Sequence, residues 1–172
     1  RIYRKLVKYE VIGCEEAPQM IDNPLNASIV HLDTSINKAH IEFSPISINT
    51  DELIYASFKS DTIPKYNSRD SVQRQVRKFY KATNIGENKK NFGKGWRGGV
   101  PMDGPFNDPE FDTGNGAFSP DGQRFYFTKC EKNWKNKMVC AIYQSSKTDE
   151  GWSEPKMMER PINEPKYTST MP

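Results

Sequence analysis

Apolar and polar positions alternate along most of this chain, the period-2 pattern of strands with two different faces. In "RFYFT" Phe125 and Phe127 fall on one face, and Arg124 and Tyr126 on the other. An opening run near 113–118 meets Asp121-Gly122, a dipeptide that predicts a two-residue hairpin. "QRFYFTKC" then predicts a second strand, "MVCAIYQSS" a third and "WSEPKMM" a fourth, outer one, with Asp149-Glu150-Gly151 turning between the last two. The first stretch breaks this rhythm. Ile2, Leu6 and Tyr9, with Tyr3, Val7 and Val11 beside them, predict a helix facing a core. Pro18 is expected to stop it. Residues 19–35 read as a connector with a first strand around 28–32.

The pattern repeats. "GWRGGVPMDGPFNDP" (95–109) lies over "GWSEPKMMERPINEP" (151–165) at a constant offset of 56, so that Trp96 meets Trp152 and Asn107 meets Asn163. A third copy of the unit's end begins at Ile36-Asn37. "INTDELIYAS" (48–57) lies over "SPDGQRFYFT" (119–128) at an offset of 71, and "KFYKAT" (78–83) over "AIYQSS" (141–146) at 63. The shrinking offset places two insertions in the first copy, near 60–75 and 84–94. Four short antiparallel strands in a unit of about 40–60 residues describe a propeller blade. The expected fold is therefore all-β: residues 1–21 close a helical region, and 22–172 form a propeller fragment. Its blades cover about 36–106 and 107–162, and 163–172 start the next. Two blades do not close a ring, so the chain reads as a piece of a longer protein.

Composition changes this picture little. The hydrophobic fraction is 35%, offset by nine Phe, eight Tyr and three Trp, and 12 Pro and 11 Gly suit a turn-rich β fold. No apolar run is long enough to cross a bilayer as a helix. The net charge of +3 is uneven: residues 61–100 hold ten Lys and Arg against Asp61, Asp70 and Glu87. That segment reads as enlarged, solvated loops, with polyanion binding as the functional alternative. Cys130 and Cys140 bracket the polar "EKNWKNKMV" between two strand-like runs. Facing residues of paired antiparallel strands lie within disulfide reach, so a Cys130–Cys140 bridge and an oxidising compartment are expected. Two buried thiols in a reducing compartment are the alternative.

Ser119-Pro120-Asp121-Gly122 followed by "QRFYFT" resembles the TolB-like propeller repeat. Cys14 to Pro18, Asn23-Pro24, Ile36-Asn37, Phe43-Ser44-Pro45 and the 51–57 run are similar to the junction in Bacteroidetes envelope proteins where tetratricopeptide helices lead into such a propeller. In that family an OmpA-like domain follows and holds the assembly to peptidoglycan; no such segment is present here. The resemblance implies a periplasmic, outer-membrane-associated protein, with some relatives serving secretion and gliding machinery.

Catalytic chemistry needs convergent groups, and none converge. His31 and His40 lack metal-ligand spacing. "FDTGNG" offers Asp112 and Asn115 without the alternating acids of a calcium loop. "SKTDEGW" is similar to the Asp-box of sialidase propellers in compressed order, and that box is structural. Trp96 and Trp152, like Asn37, Asn107 and Asn163, recur as repeat positions and read as packing residues. Trp134 has no counterpart. It stands among Lys132, Lys135 and Lys137 and is the best candidate for a partner contact, the alternative being a Trp folded over its own hairpin. The expectation is a non-catalytic scaffold binding other envelope proteins, with no catalytic residues, cofactor, metal, nucleic acid or membrane span. The propeller part of a prolyl-peptidase-type hydrolase is the alternative.

Overall fold

The period-2 runs become strands in a computed structural model that describes residues 2–27, 29–38, 41–58, 76–86 and 93–172. The chain divides into Arg1–Val30 and His31–Pro172. The first unit holds one helix, α1 (Ile2–Asp22), which runs through Pro18 instead of stopping there. A proline inside a helix removes one N–H and crowds the carbonyl four residues back, which costs stability without forbidding the helix. The end is closed at Asn23, whose backbone N–H and side-chain Nδ2 both donate to the Gln19 carbonyl, at 3.0 and 3.1 Å. The expected core face is not buried: Tyr3, Leu6, Val7, Tyr9 and Val11 are all exposed, because a lone helix has no second element in its own unit to pack on.

The second unit is mostly β, with two antiparallel sheets that do not close into a barrel. The first sheet orders β1 (Glu42–Ser47), β2 (Glu52–Ser57), β3 (Lys78–Asn84) and β4 (Trp96–Pro101) as a simple meander. The second repeats that order with β5 (Asp112–Phe118), β6 (Arg124–Lys132), β7 (Met138–Thr148) and β8 (Gly151–Trp152), and β9 (Lys156–Met157) also pairs with β7. The expected fourth strand is thus split. Pro155 has no N–H to donate, and between the two pieces Ser153 takes over, its hydroxyl accepting from the Ser146 N–H at 3.0 Å. No strand forms at 29–32, and Ser28 lies outside the described residues. The Asp33 carboxylate accepts the Ser35 N–H and Asn37 Nδ2 donates to the Leu32 carbonyl, while the Ile36 and Asn37 N–H groups donate to the Asp33 carbonyl and hold 33–37 in a turn.

The pairing registers correct the alignment of the two repeats. Phe79 pairs with Ala56, and Ile142 with Thr128, which places β2 on β6 at an offset of 72, not 71. The added residue sits in the hairpin: the β1–β2 loop spans 48–51, whereas the β5–β6 loop spans 119–123. That loop is longer than the expected two-residue turn. Within it the Gly122 N–H donates to the Ser119 carbonyl at 2.8 Å, and Gly122 has φ 68°. A one-residue slip exchanges the faces of a strand, so Tyr55 matches Phe127 and not Tyr126.

With this register the faces are consistent. Ile54, Ala56 and Phe79 of the first sheet meet Phe125 and Phe127 of the second in a core that also takes in Phe106 from the connecting segment. The four phenylalanines are at most 1% exposed, and Phe79 and Phe106 each meet Phe125 and Phe127 edge to face at 5.2–5.9 Å. Burying each stabilises the fold by roughly 1.5–3 kcal/mol. The opposite face of the first sheet, Leu53, Tyr55, Tyr80 and Ala82, is covered by Ile36, Leu32 and Trp96. Burial pushes the Tyr55 hydroxyl up to about 12. A Cβ at Gly114 would lie 2.8 Å from Phe43 Cζ, so the glycines of "FDTGNG" let β5 approach β1 and do not form an ion loop.

Candidate functional site

Two kinds of site residue were expected: repeat residues that hold the sheets, and an exposed tip that meets a partner. The repeat residues act as a set. Asn107 Oδ1 accepts the Phe79 N–H at 2.8 Å, while its Nδ2 donates to the Phe79 carbonyl at 2.9 Å and faces the Met102 carbonyl at 3.5 Å. Asn163 treats Ile142 and Met158 alike, at 2.9, 2.8 and 2.7 Å. One carboxamide stands in for a peptide group on the strand edge, giving back both bonds that a neighbouring strand would make. Asn37 carries the third copy. Its Nδ2 donates to the Leu32 carbonyl at 2.6 Å, and its Oδ1 accepts nothing among the described residues.

Three further features repeat in step, and sequence patterns gave no sign of them. Ser44, Asn115 and Met171 all have positive φ, at 54°, 50° and 62°. The first two lie at matching bulges, between Phe43 and Ile46 and between Gly114 and Ala117. The Thr113 N–H donates to the Arg77 carbonyl at 3.0 Å, and the Ser169 N–H to the Cys140 carbonyl at the same distance, so each unit hooks onto the sheet before it. Asp33 holds β4, the outer strand of the first sheet. Its Oδ2 accepts the Gly95 and Trp96 N–H groups at 3.1 and 3.2 Å, and the Ser35 hydroxyl lies between Asp33 Oδ1 and the Trp96 carbonyl. The Ser35 bond keeps the Asp33 carboxyl below its ordinary value, with burial opposing.

Trp96 and Trp152 are packing residues. Trp96 lies on the Ile36 cluster, and Trp152 lies 5.6 Å from Phe106 and 6.0 Å from Phe118, ring centre to ring centre.

Trp134 behaves differently, being 88% exposed. Strand β6 runs two residues past the expected "QRFYFTKC" and pairs with β7 as far as Lys132 and Met138, so the tip is only residues 133–137. Asn133 organises it: its Oδ1 accepts the Lys135 and Lys137 N–H groups at 2.9 and 3.0 Å, and its own N–H donates to the Lys137 carbonyl at 2.9 Å. Lys135 Nζ sits 4.5 Å above the Trp134 ring, and Lys132 and Lys137 are exposed beside it. Below the tip, Cys130 and Cys140 face each other across the ladder and form the expected disulfide, with Cα atoms 4.0 Å apart. The bridge and the Asn133 bonds together fix the loop in one arrangement.

The remaining expectations resolve as follows. Asp112 accepts the Arg77 N–H at 2.8 Å and is 5% exposed, so it serves the fold. His31 Nδ1 contacts the Leu32 carbonyl at 2.8 Å, and His40 lies outside the described residues. Among the described residues no cluster of His, Cys, Asp and Glu is placed to hold a metal. Much of the basic 61–100 segment, 61–75 and 87–92, lies outside the described residues, and with it most of both expected insertions. No helix among the described residues is long and apolar enough to cross a membrane. No protein family, no curated protein and no solved structure matches this chain.

Proposed function

We propose that each of the two sheets is a blade of a TolB-like propeller in an OmpA-family envelope protein of the Bacteroidetes type, and that the chain is a non-catalytic protein-binding scaffold. The repeated asparagine clamps, bulges and hooks support the blade reading, since they are the same device at the same place in successive units. The disulfide supports an oxidising compartment, and hence a periplasmic, outer-membrane-associated location. The scaffold presents the 133–137 tip to an envelope protein whose contact surface is acidic. The exposure of Trp134 on a pinned, lysine-rimmed hairpin carries this reading. A large aromatic in such a setting has the profile of an interface anchor.

The test is site-specific photo-crosslinking in the native envelope, with a benzophenone amino acid at position 134 and a control at Thr148. One dominant adduct from position 134, absent from the control and lost when Lys132, Lys135 and Lys137 are changed together to Glu, is expected. Equal labelling from both positions, or an adduct indifferent to the triple change, overturns the proposal.

A further inference from the structure

Between the two sheets, beside the β1–β2 and β5–β6 loops, lies a solvent-open cleft of about 540 Å³. That volume falls within the range of small-molecule sites, roughly 300–1,000 Å³. Its apolar side is built by Trp152, Phe118, Met102 and Ile54. Trp152 is only half-buried, and Phe118 packs on Phe125 at 4.6 Å between ring centres, so the aromatic wall is backed by the core and cannot fold away. The polar side is set by the Glu52–Lys81 ion pair, 2.5 Å apart on adjacent strands. Asn49 Nδ2 donates to the other Glu52 oxygen at 3.1 Å and fixes the carboxylate plane. Lys147, cross-strand from Trp152, and Asp103 complete the rim, and neither has an ion partner among the described residues.

We propose that this cleft binds a neutral saccharide ring, stacked on Trp152 and hydrogen-bonded by the Glu52–Lys81 pair. Three properties select that class. The rim charges cancel, two lysines against Glu52 and Asp103, so no net field holds an ionic ligand. A locked carboxylate and ammonium side by side offer acceptors and donors at the spacing of neighbouring hydroxyls, and hydrogen bonds to charged groups are the stronger kind. The exposed part of the indole supplies a flat apolar surface for the C–H face of a pyranose, through many small dispersion contacts. The site is separate from the 133–137 tip and does not depend on the scaffold reading.

The experiment titrates cellobiose, maltose and N,N′-diacetylchitobiose into the labelled chain and follows the three indole N–H signals, with Trp152 assigned through Trp152→Phe. At least one disaccharide is expected to shift the Trp152 signal saturably and leave Trp134 unmoved. Glu52→Gln, on an unchanged circular dichroism spectrum, is expected to weaken that binding about tenfold, the loss of one charge-assisted hydrogen bond. If Glu52→Gln fails to fold, Lys81→Met on the neighbouring strand carries the same comparison. No shift with any of the three sugars, equal affinity in the variant, or an equal shift from the zwitterion phenylalanine overturns the proposal.

Discussion

Single side chains that bond to backbone do much of the holding in this unit. Asn107 and Asn163 each satisfy an N–H and a C=O on a strand edge, at Phe79 and Ile142. Asn107→Ala leaves the Phe79 N–H bare beside the core, while the Phe79 carbonyl keeps the Met102 N–H at 3.0 Å, and is expected to cost about 1–3 kcal/mol in urea unfolding. Asn107→Asp rescues it only in part, because a carboxylate accepts the Phe79 N–H but has no proton to donate to the Phe79 and Met102 carbonyls. Amide exchange at Phe79 is expected to accelerate more in Asn107→Ala than in Asn107→Asp, and at Ile142 in neither. Asp33 acts through charge as well. Its carboxyl titrates below the ordinary 3.8, so around that pH the folded protein binds fewer protons than the unfolded chain. The stability it adds is complete above the unfolded carboxylate range and is lost as pH falls through the folded value. Urea midpoints measured from pH 7 to pH 2 are expected to fall less steeply on the acid side in Asp33→Asn, from a lower neutral value. The recurrence of the asparagines was legible in the sequence, but their role was not. A bond to backbone leaves no partner residue to read.

At the scale of elements, the strands from β5 to β7 and the disulfide followed directly from alternation, turn residues and facing cysteines. Reducing Cys130–Cys140, ten residues apart, is expected to cost about 2–3 kcal/mol, seen as a lower urea midpoint in dithiothreitol. Three readings failed where a local rule met a competing contact. Pro18 was tolerated inside α1, the 28–32 strand gave way to side-chain capture by Asp33 and Asn37, and Pro155 split the outer strand. The slip from 71 to 72 has its own cause: a tyrosine on each strand, Tyr55 and Tyr126, aligned in sequence while a longer hairpin loop shifted the strands by one. The 133–137 tip could be named from its lysines and lone tryptophan, although its rigidity rests on Asn133, which looks like any loop residue.

Across the whole unit, the two sheets meet through a few large rings and some missing side chains. A Cβ at Gly116 would lie 2.9 Å from Ile46 Cδ1 and closer still to Phe125 Cζ. Gly116→Ala is therefore expected to destabilise by about 1–3 kcal/mol through overpacking, with a thermal midpoint several degrees lower by calorimetry. Sequence could not show this, because a glycine in a strand gives no sign of which neighbour occupies the space above it. The clamps bear on something different, the freedom of the sequence to drift. An asparagine that recognises an N–H and a C=O is indifferent to the side chain between them, and here it accepts phenylalanine in one sheet and isoleucine in the other. A unit joined in this way keeps its register whichever side chain stands at the clamped position, so the clamp constrains the backbone and leaves that residue to the core.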